Sequence, residues 1–258
     1  MLQYYSRFFK FVEIDSTYYH IPSRFVVRGW KDKTPSDFKF TLKFPKAITH
    51  ERKLQDISKQ LSLFFYALEP LVDKTLMLLI QLPPYLTEPK GFVPFKSMVS
   101  KLDSRFRYAL EVRDSSWFNN RVYEFLNENR ISLVWSVRDE LKTPSIITAD
   151  QIYVRFIGDG SINENDFGKI VKDRSKEMIE YAKRLKEIQN DDSNIRDILI
   201  AFNNHFAGFG PQSVNDFLKI LQKPEMNWKN ELEKQSQSNS SSFLNNNSQT
   251  SMTDFNEF

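Results

Sequence analysis

Seven short apolar runs, each finishing on polar residues, restrict the fold of this chain more than any other feature. They are Phe11–Tyr19, Phe38–Pro45, Leu76–Pro83, Arg107–Asp114, Ile131–Arg138, Ile152–Gly158 and Asp197–Asn204. Continuous apolar runs of this length are typical of strands that are buried on both faces, as in a parallel sheet covered by helices. Parallel α/β folds place ligand sites at the carboxyl ends of their strands. The sequence therefore predicts both an architecture and the position of a site.

Amphipathic helical patterns lie between these runs. In the segment 56–71, for example, Ile57, Leu61, Phe64 and Leu68 form one apolar stripe. Similar patterns occur at 92–102, 117–129, 173–189 and 211–221. Strands that alternate with helices predict βα units and right-handed crossovers.

Seven strands in about 200 residues fit either a TIM-type (β/α)8 barrel that is short of one strand or an open, doubly wound sheet. The chain has only 7 Gly and no G-x-G-x-x-G motif, so it lacks the phosphate loop of many open sheets. Polar residues also end nearly every run, which favours the barrel. Because the first run follows the amino-terminal residues almost directly, we expect seven βα units and no leading strand.

Composition excludes several classes of protein. The chain has no Cys, which rules out disulfides and thiolate chemistry. A net charge of +3 among 258 residues gives no general argument for a nucleic-acid partner. Since there is no apolar run of about 18 residues and no secretion signal, we expect a cytoplasmic protein without a membrane partner. We predict a barrel domain over residues 1–224 and a disordered, Asn/Ser-rich tail over residues 225–258.

Strand parity predicts which polar side chains share a face. The predicted face carries Glu13, Asp15 and Thr17 from the first run, Lys43, Gln81, Glu111, Arg113 and Arg155 from later ones, and Asn203 and Asn204 at the last. Asn203 and Asn204 straddle the end of their run, and in a barrel the side chains that converge near one rim are Glu13, Lys43, Gln81, Glu111, Arg113, Arg155 and Asn203. Glu13 and Glu111 would then serve as general acid and base, and Arg113 and Arg155 would hold a phosphate or carboxylate. The same residues are also compatible with a purely structural layer of ion pairs.

The three histidines each follow a strand. His20, His50 and His205 show no H-x-H or H-x-x-x-H spacing, so a metal site requires three distant loops to meet. We therefore assign no metal ligands, and the sequence requires no cofactor. His50 is the best candidate for proton transfer, together with Glu13, Lys43 and Glu111. Trp117 is a candidate for stacking on a sugar or base, although it could equally line the barrel wall.

Seven collinear motifs between about residues 4 and 223 carry a family resemblance. They are FVEIDSTYY from Phe11, WKDKTPSDFKF from Trp30, KFPKAITH from Lys43, QLPP from Gln81, EVRDSSW from Glu111, YVRF from Tyr153 and FNN from Phe202. In these motifs the chain resembles the YecE-like family, known as domain of unknown function 72. The resemblance implies a TIM-type barrel and no assigned activity. It also implies functional roles for Glu13, Thr17, Lys43, His50, Gln81, Glu111, Arg113, Arg155 and Asn203.

Three departures from the family pattern matter. The family usually opens on a first strand resembling G-T-S-G-W, which this chain lacks. Ile157 stands where the family commonly has His, and His20 stands where it usually has Arg.

The sequence favours an enzyme, of the hydrolase, isomerase or lyase type, that acts on a small anionic or sugar-like substrate. Thr17, Gln81, Arg113, Trp117, Arg155, Asn203 and Asn204 are the predicted substrate-binding residues. Two alternatives are a nucleic-acid-associated barrel and a non-catalytic ligand-binding or scaffold protein. The sequence makes no prediction about the oligomeric state.

Overall fold

The computed structural model describes residues 2–190 and 194–227. The chain divides into two units, Met1–Lys223 and Pro224–Phe258, and every strand and helix described below lies in the first. Most of the predicted tail, from residue 228 onward, lies outside the described residues.

The seven predicted runs form eight strands in the described part of the chain. They are β1 Phe11–Ile14, β2 Lys39–Lys43, β3 Thr75–Gln81, β4 Tyr108–Glu111, β5 Ile131–Leu133, β6 Trp135–Val137, β7 Gln151–Phe156 and β8 Asp197–Phe202. The fifth run is divided at Val134, whose N–H donates to the Leu110 carbonyl at 2.9 Å. β5 and β6 are therefore two halves of one predicted strand.

The strands form two parallel sheets, with the orders β1-β2-β3-β4-β5 and β6-β7-β8. Within each sheet every strand pairs in parallel with the next strand along the chain. Among the described strands, β1 pairs with β2 alone and β8 with β7 alone. All residues of β4 and β7 are buried, whereas most residues of β1 and β8 are half-buried. The predicted parallel α/β architecture is confirmed.

Helices follow most of the strands, and each of the five predicted amphipathic segments overlaps one; residues 138–150, between β6 and β7, contain no helix. The α-helices are α1 Leu2–Tyr5, α2 Ser16–Tyr19, α3 Arg24–Asp32, α4 Ser58–Leu68, α5 Glu88–Val99, α6 Asn120–Glu128, α7 Ser175–Asn190, α8 Asn204–Ala207 and α9 Gly210–Ile220. Short 3-10 helices span Glu69–Lys74, Ser115–Trp117 and Glu164–Asp166, and a π-helix spans Ala47–Glu51. None of the helices in the described ranges has the length and apolar character needed to cross a bilayer.

The buried apolar residues divide into three clusters. Two of them pack helices against the outer faces of the five-stranded and three-stranded sheets. The third is formed by alternate strand residues of both sheets, which are Met77, Leu79, Ala109, Val134, Tyr153 and Leu199. Because side chains alternate across a strand, these residues define an inner face that both sheets share.

One local prediction is wrong. Thr17 is predicted on the same strand face as Glu13, but β1 ends at Ile14 and Thr17 lies in helix α2. The chain turns there because the Tyr18 N–H donates to the Asp15 carbonyl at 3.0 Å. The buried Thr17 hydroxyl lies 2.7 Å from the Lys43 carbonyl and 3.0 Å from that of Ile14. Short polar side chains such as Asp15 and Ser16 favour such a turn over a continued strand.

Candidate functional site

Arg155, near the end of β7, organises the polar residues of the inner face. Its Nε donates to Glu13 Oε2 at 2.8 Å, and its Nη2 donates to Glu13 Oε1. On the other side, its Nη1 donates to Glu111 Oε2. The side chains of Arg155 and Glu111 are 6% and 0% exposed. One buried guanidinium thus joins the carboxylates of β1 and β4, which brings together three residues that strand parity places on one face.

Burial and charge act in opposite directions on Arg155. Burial alone would lower the pKa of its guanidinium, but the carboxylates of Glu111 and Glu13 outweigh it and hold that pKa well above its usual range. Arg155 is therefore a permanent cation. Its two carboxylate partners supply the charge compensation that a buried cation requires.

Tyr153 lies two residues before Arg155 in β7, on the same face of the sheet, and supports this arrangement. Its hydroxyl donates to Glu13 Oε2 and lies 3.2 Å from the Thr41 hydroxyl. Complete burial, together with the charge of Glu13, raises the pKa of the Tyr153 phenol well above its usual value. The phenol consequently stays protonated and holds Glu13 in place.

Among the described residues eight buried side-chain atoms lack a hydrogen-bond partner, and four of the eight lie at or near the ends of neighbouring strands. These four are Gln81 Oε1, Glu111 Oε1, Arg113 Nε and Ser136 Oγ. Arg113 Nη2 forms an ion pair with Glu111 Oε1 without hydrogen-bond geometry, so both residues keep an unused polar atom. Because buried polar atoms are nearly always paired in proteins, such a concentration requires an explanation, and a ligand site supplies one.

These four residues are contiguous. Gln81 and Glu111 are direct partners in the pairing of β3 with β4, and Ser136 is the partner of Arg155 in the pairing of β6 with β7. Arg155 in turn contacts Glu111. By parity, Gln81, Glu111 and Ser136 share the inner face with Leu79, Ala109 and Val134.

Lys43 provides a second cation at the end of β2. Its side chain is 13% exposed, and its Nζ lies 3.5 Å from the exposed carboxylate of Asp15. The ammonium also lies 4.7 Å from the centroid of the Tyr18 ring. Neither contact is a hydrogen bond, and in the described part of the chain no hydrogen bond from Lys43 Nζ is found. The ammonium therefore retains its donors for a ligand.

His50 lies beside Lys43 in the π-helix Ala47–Glu51. Its Nδ1 is 2.8 Å from the Thr49 hydroxyl, and its ring packs edge-on against Tyr18 at 5.1 Å between centroids. Partial burial and the charge of Lys43 lower the pKa of the imidazole, while Glu51 acts in the opposite direction. His50 is therefore neutral near pH 7, and its Nε2 is left to accept or donate a proton.

The lowered pKa of His50 predicts a pH-dependent stability. Between its folded-state pKa and the unfolded value of about 6.5, the unfolded state binds more protons. The stability that depends on the neutral imidazole is fully present above about pH 6.5 and is lost as the pH falls below that value. We expect the melting temperature of the wild type to fall more than that of His50→Gln between pH 7.5 and 5.5. His20→Gln, at an exposed position, is the matched control; equal falls in wild type and His50→Gln would contradict the assignment.

Asn203 and Asn204 serve local backbone structure. Asn203 Oδ1 accepts from the His205 N–H at 2.9 Å and caps α8, while Asn204 Oδ1 accepts from the Gly210 N–H at 2.8 Å. Asn203 still follows Leu199 and Ala201 in parity at the end of β8. Its amide nitrogen remains a candidate for binding, whereas Asn204 is occupied in joining α8 to α9.

Trp117 lies in the core. Its indole N–H donates to the Leu86 carbonyl at 2.8 Å, and its ring packs edge-on against Phe92 and Phe95. The side chain is 1% exposed, so it offers no face for stacking on a ligand. Trp117 packs in the wall of the fold, which is the alternative role that the sequence allowed.

The three histidines occupy different elements. His20 is exposed after α2, His50 lies in the π-helix, and the ring of His205 packs against Phe167. Across residues 2–190 and 194–227, no group of three His, Cys, Asp or Glu side chains could hold a metal ion.

Sequence reasoning missed two residues of this site, Ser136 and Tyr153. Tyr153 lies two positions before Arg155, which parity selects, and Ser136 lies two positions before Arg138, the polar residue that ends its run. The signal was therefore present as parity. A hydroxyl group in an apolar run is a weaker indication of a site than a charged group is.

Comparison with known proteins confirms the family resemblance. A family model described as "Protein of unknown function DUF72" matches residues 1–238. The UPF0759 protein YunF of Bacillus subtilis (strain 168) is 26% identical over 245 residues, covering 85% of this chain and 86% of YunF. The UPF0759 protein YecE of Escherichia coli (strain K12) is 28% identical over 189 residues, covering 64% of this chain and 69% of YecE.

Solved structures agree with the fold. A DUF72 family protein of Enterococcus faecalis V583 superimposes with a TM-score of 0.73 at 20% identity, covering 87% of this chain and 94% of that one. A DUF72 family protein of Thermotoga maritima MSB8 gives a TM-score of 0.67 at 25% identity, covering 83% of this chain and 84% of that one. With a family model that spans nearly all of the described residues, the chain belongs to the DUF72 family.

Proposed function

We propose that this chain is a TIM-type (β/α)8 barrel with seven βα units, and that it is an enzyme acting on a small anionic or sugar-like substrate. The barrel is supported by the strand order, in which each strand neighbours the next, and by the inner cluster shared between both sheets. In this barrel the missing strand would lie between β1 and β8. In this proposal the barrel domain covers residues 1–224, and the Asn/Ser-rich segment 225–258 is not part of it.

Glu111 is the proposed general base. Arg155 donates to its Oε2 and so orients the carboxylate, while Oε1 accepts no hydrogen bond, faces the Arg113 guanidinium in an ion pair, and is the oxygen that takes a substrate proton. Glu13 and Tyr153 fix Arg155 from the opposite side and act as positioning residues. The neutral His50 is the second group that can carry a proton. Lys43 and Arg113 hold the anionic group of the substrate or the negative charge that develops on it.

The observation that carries this proposal is the buried Glu111 carboxylate, whose Oε1 is ion-paired with Arg113 but accepts no hydrogen bond. It lies among three other unpaired polar atoms at the carboxyl ends of adjacent strands. A structural layer alone would leave these atoms uncompensated at a cost of about 1–3 kcal/mol each. A polar substrate that pairs with them removes this cost only when it is bound.

A non-catalytic scaffold is the second candidate, and the double ion pair of Arg155 favours it. In that case Glu13 and Glu111 serve only to neutralise the guanidinium. The two functions differ in what they predict for Glu111, because a structural carboxylate cannot be removed without destabilising the fold.

Glu111→Gln tests the proposal. Because Arg155 keeps both contacts with Glu13, we expect the free energy of unfolding to fall by less than about 2 kcal/mol. A thermal-shift screen of metabolites and nucleotides should find a compound that stabilises the wild type and is not turned over by the variant. Glu140→Gln, at an exposed surface ion pair, is the control and should match the wild type in both measurements.

Two outcomes of this test would contradict the enzyme. A loss of 3–5 kcal/mol in Glu111→Gln without any stabilising compound would support the scaffold. Binding of oligonucleotides with a steep dependence on salt, unaffected by Glu111→Gln, would indicate a nucleic-acid partner instead.

A further inference from the structure

The unpaired atoms of the site select for one kind of ligand group. Gln81 Oε1 and Glu111 Oε1 can only accept hydrogen bonds, and Ser136 Oγ can both accept and donate. Arg113 Nε is the single atom of the four that only donates. Phosphate and carboxylate oxygens accept only, so an anionic group cannot satisfy this set. Hydroxyl groups both donate and accept, so they can.

Charge points in the same direction. Glu111 Oε1 belongs to a fully buried carboxylate, and an anion placed against it would be repelled at low dielectric. Arg113 is already ion-paired with Glu111, whereas the Lys43 ammonium lies away from this carboxylate, at the end of β2 beside Tyr18 and Asp15. The inner end of the site therefore favours hydroxyl groups, and the rim favours a negative charge.

Strand geometry separates the two ends. Lys43 pairs with Leu79, two residues before Gln81, and two strand spacings separate β2 from β4. Neighbouring strands lie about 4.8 Å apart and two residues span about 6.6 Å, so the Cα atoms of Lys43 and Glu111 are roughly 12 Å apart. A substrate that contacts both residues has to bridge this separation, less the reach of the two side chains.

We propose that the substrate is a polyhydroxylated molecule with one anionic group, bound with its hydroxyls against Gln81, Glu111 and Ser136 and its anionic group at Lys43. This inference rests on the function proposed above and adds the substrate class and its orientation. Phosphate and carboxylate are both compatible with Lys43, since either is a compact anion that a single ammonium can hold.

A panel of five probes, four of which are six-carbon compounds, tests the proposed substrate class. Sorbitol carries the hydroxyls alone, hexanoate and inorganic phosphate carry the charge alone, and gluconate and sorbitol 6-phosphate carry both. We expect the last two to raise the melting temperature of the full chain more than the other three. The larger shift of the two identifies the anionic group. Equal shifts with hexanoate or inorganic phosphate, or no shift with either hydroxylated anion, would overturn the inference.

Two serines with the same parity, Ser132 in β5 and Ser136 in β6, test the proposed orientation of the substrate. Ser136 Oγ is buried and unpaired, whereas Ser132 Oγ is buried and donates to the Gln151 carbonyl at 2.7 Å. Ser136→Ala should leave the melting temperature of the free protein unchanged or higher, and should weaken binding of the best probe roughly tenfold. Ser132→Ala should do the opposite, lowering the melting temperature of the free protein while leaving the affinity unchanged.

The outcomes separate this inference from the function on which it rests. A compound outside this class that is turned over by the wild type and not by Glu111→Gln, with unchanged affinity in Ser136→Ala, would overturn the substrate class and leave the enzyme standing. A second outcome would have the opposite meaning. Gluconate or sorbitol 6-phosphate would bind to the wild type and to Glu111→Gln, and Ser136→Ala would weaken this binding, but neither the wild type nor Glu111→Gln would convert any compound. The substrate class would then stand as a ligand class, and the proposed enzyme would be wrong.

Discussion

Arg155→Met should lower the free energy of unfolding by about 3–5 kcal/mol, because the substitution leaves two buried carboxylates without their shared cation. Glu13 and Glu111 both contact the guanidinium, and Glu111 is completely buried. Methionine approximates the length of arginine, so the loss reflects charge more than volume. Urea unfolding followed by circular dichroism measures the change.

Two further variants identify the cause of this loss. Arg138→Met removes an arginine whose partner, Glu140, is 64% exposed, and should cost no more than about 1 kcal/mol. In the Arg155→Met background, adding Glu111→Gln should recover part of the stability, because it removes one of the two uncompensated charges. Strictly additive losses in the double variant would show that Arg155 and Glu111 do not interact as the structure indicates.

Gly158→Ala should cost roughly 3 kcal/mol or more. Gly158 follows β7 with φ = +78°, and a Cβ atom there would lie 2.2 Å from the backbone oxygen of His205. The left-handed conformation alone costs an L-residue about 1–2 kcal/mol, and the contact with backbone forces α8 and its Asn203 cap to move. Thermal or urea unfolding measures this effect.

Gly160→Ala is the matched control for this prediction. Gly160 has a similar φ of +74°, but a Cβ atom there would have nothing within 4 Å. It should cost only about 1 kcal/mol, so the difference between the two variants measures the close approach of the two loops. Equal losses would mean that backbone conformation alone requires Gly158.

Most of the secondary structure follows from patterns that are local in the sequence. The apolar runs and the amphipathic segments predict the strands and the longer helices correctly, since burial on both faces and burial on one stripe leave distinct periodicities. The parallel pairing also follows where a helix separates successive strands, but β6 and β7 pair in parallel across residues 138–150, which contain no helix. Parity then predicts that Glu13, Glu111 and Arg155 share a face, and the structure brings their side chains into contact.

The failures arise where side chains bond to nearby backbone. Thr17 is drawn into a turn by the carbonyl groups of Ile14 and Lys43, and Asn204 is used by the Gly210 N–H. Trp117 is placed by packing against Phe92 and Phe95. Periodicity does not report such contacts, because it describes the face on which a residue lies and not the atoms it meets there.

The sequence by itself determined the alternation of strands and helices and the face on which the charged residues lie, because both depend on spacing along the chain. Only the tertiary structure decided how the charges are distributed, with one arginine joined to two carboxylates and four polar atoms near the strand ends left without a hydrogen bond. Hydrogen-bond geometry depends on fractions of an ångström between strands far apart in sequence, and no local pattern encodes those distances.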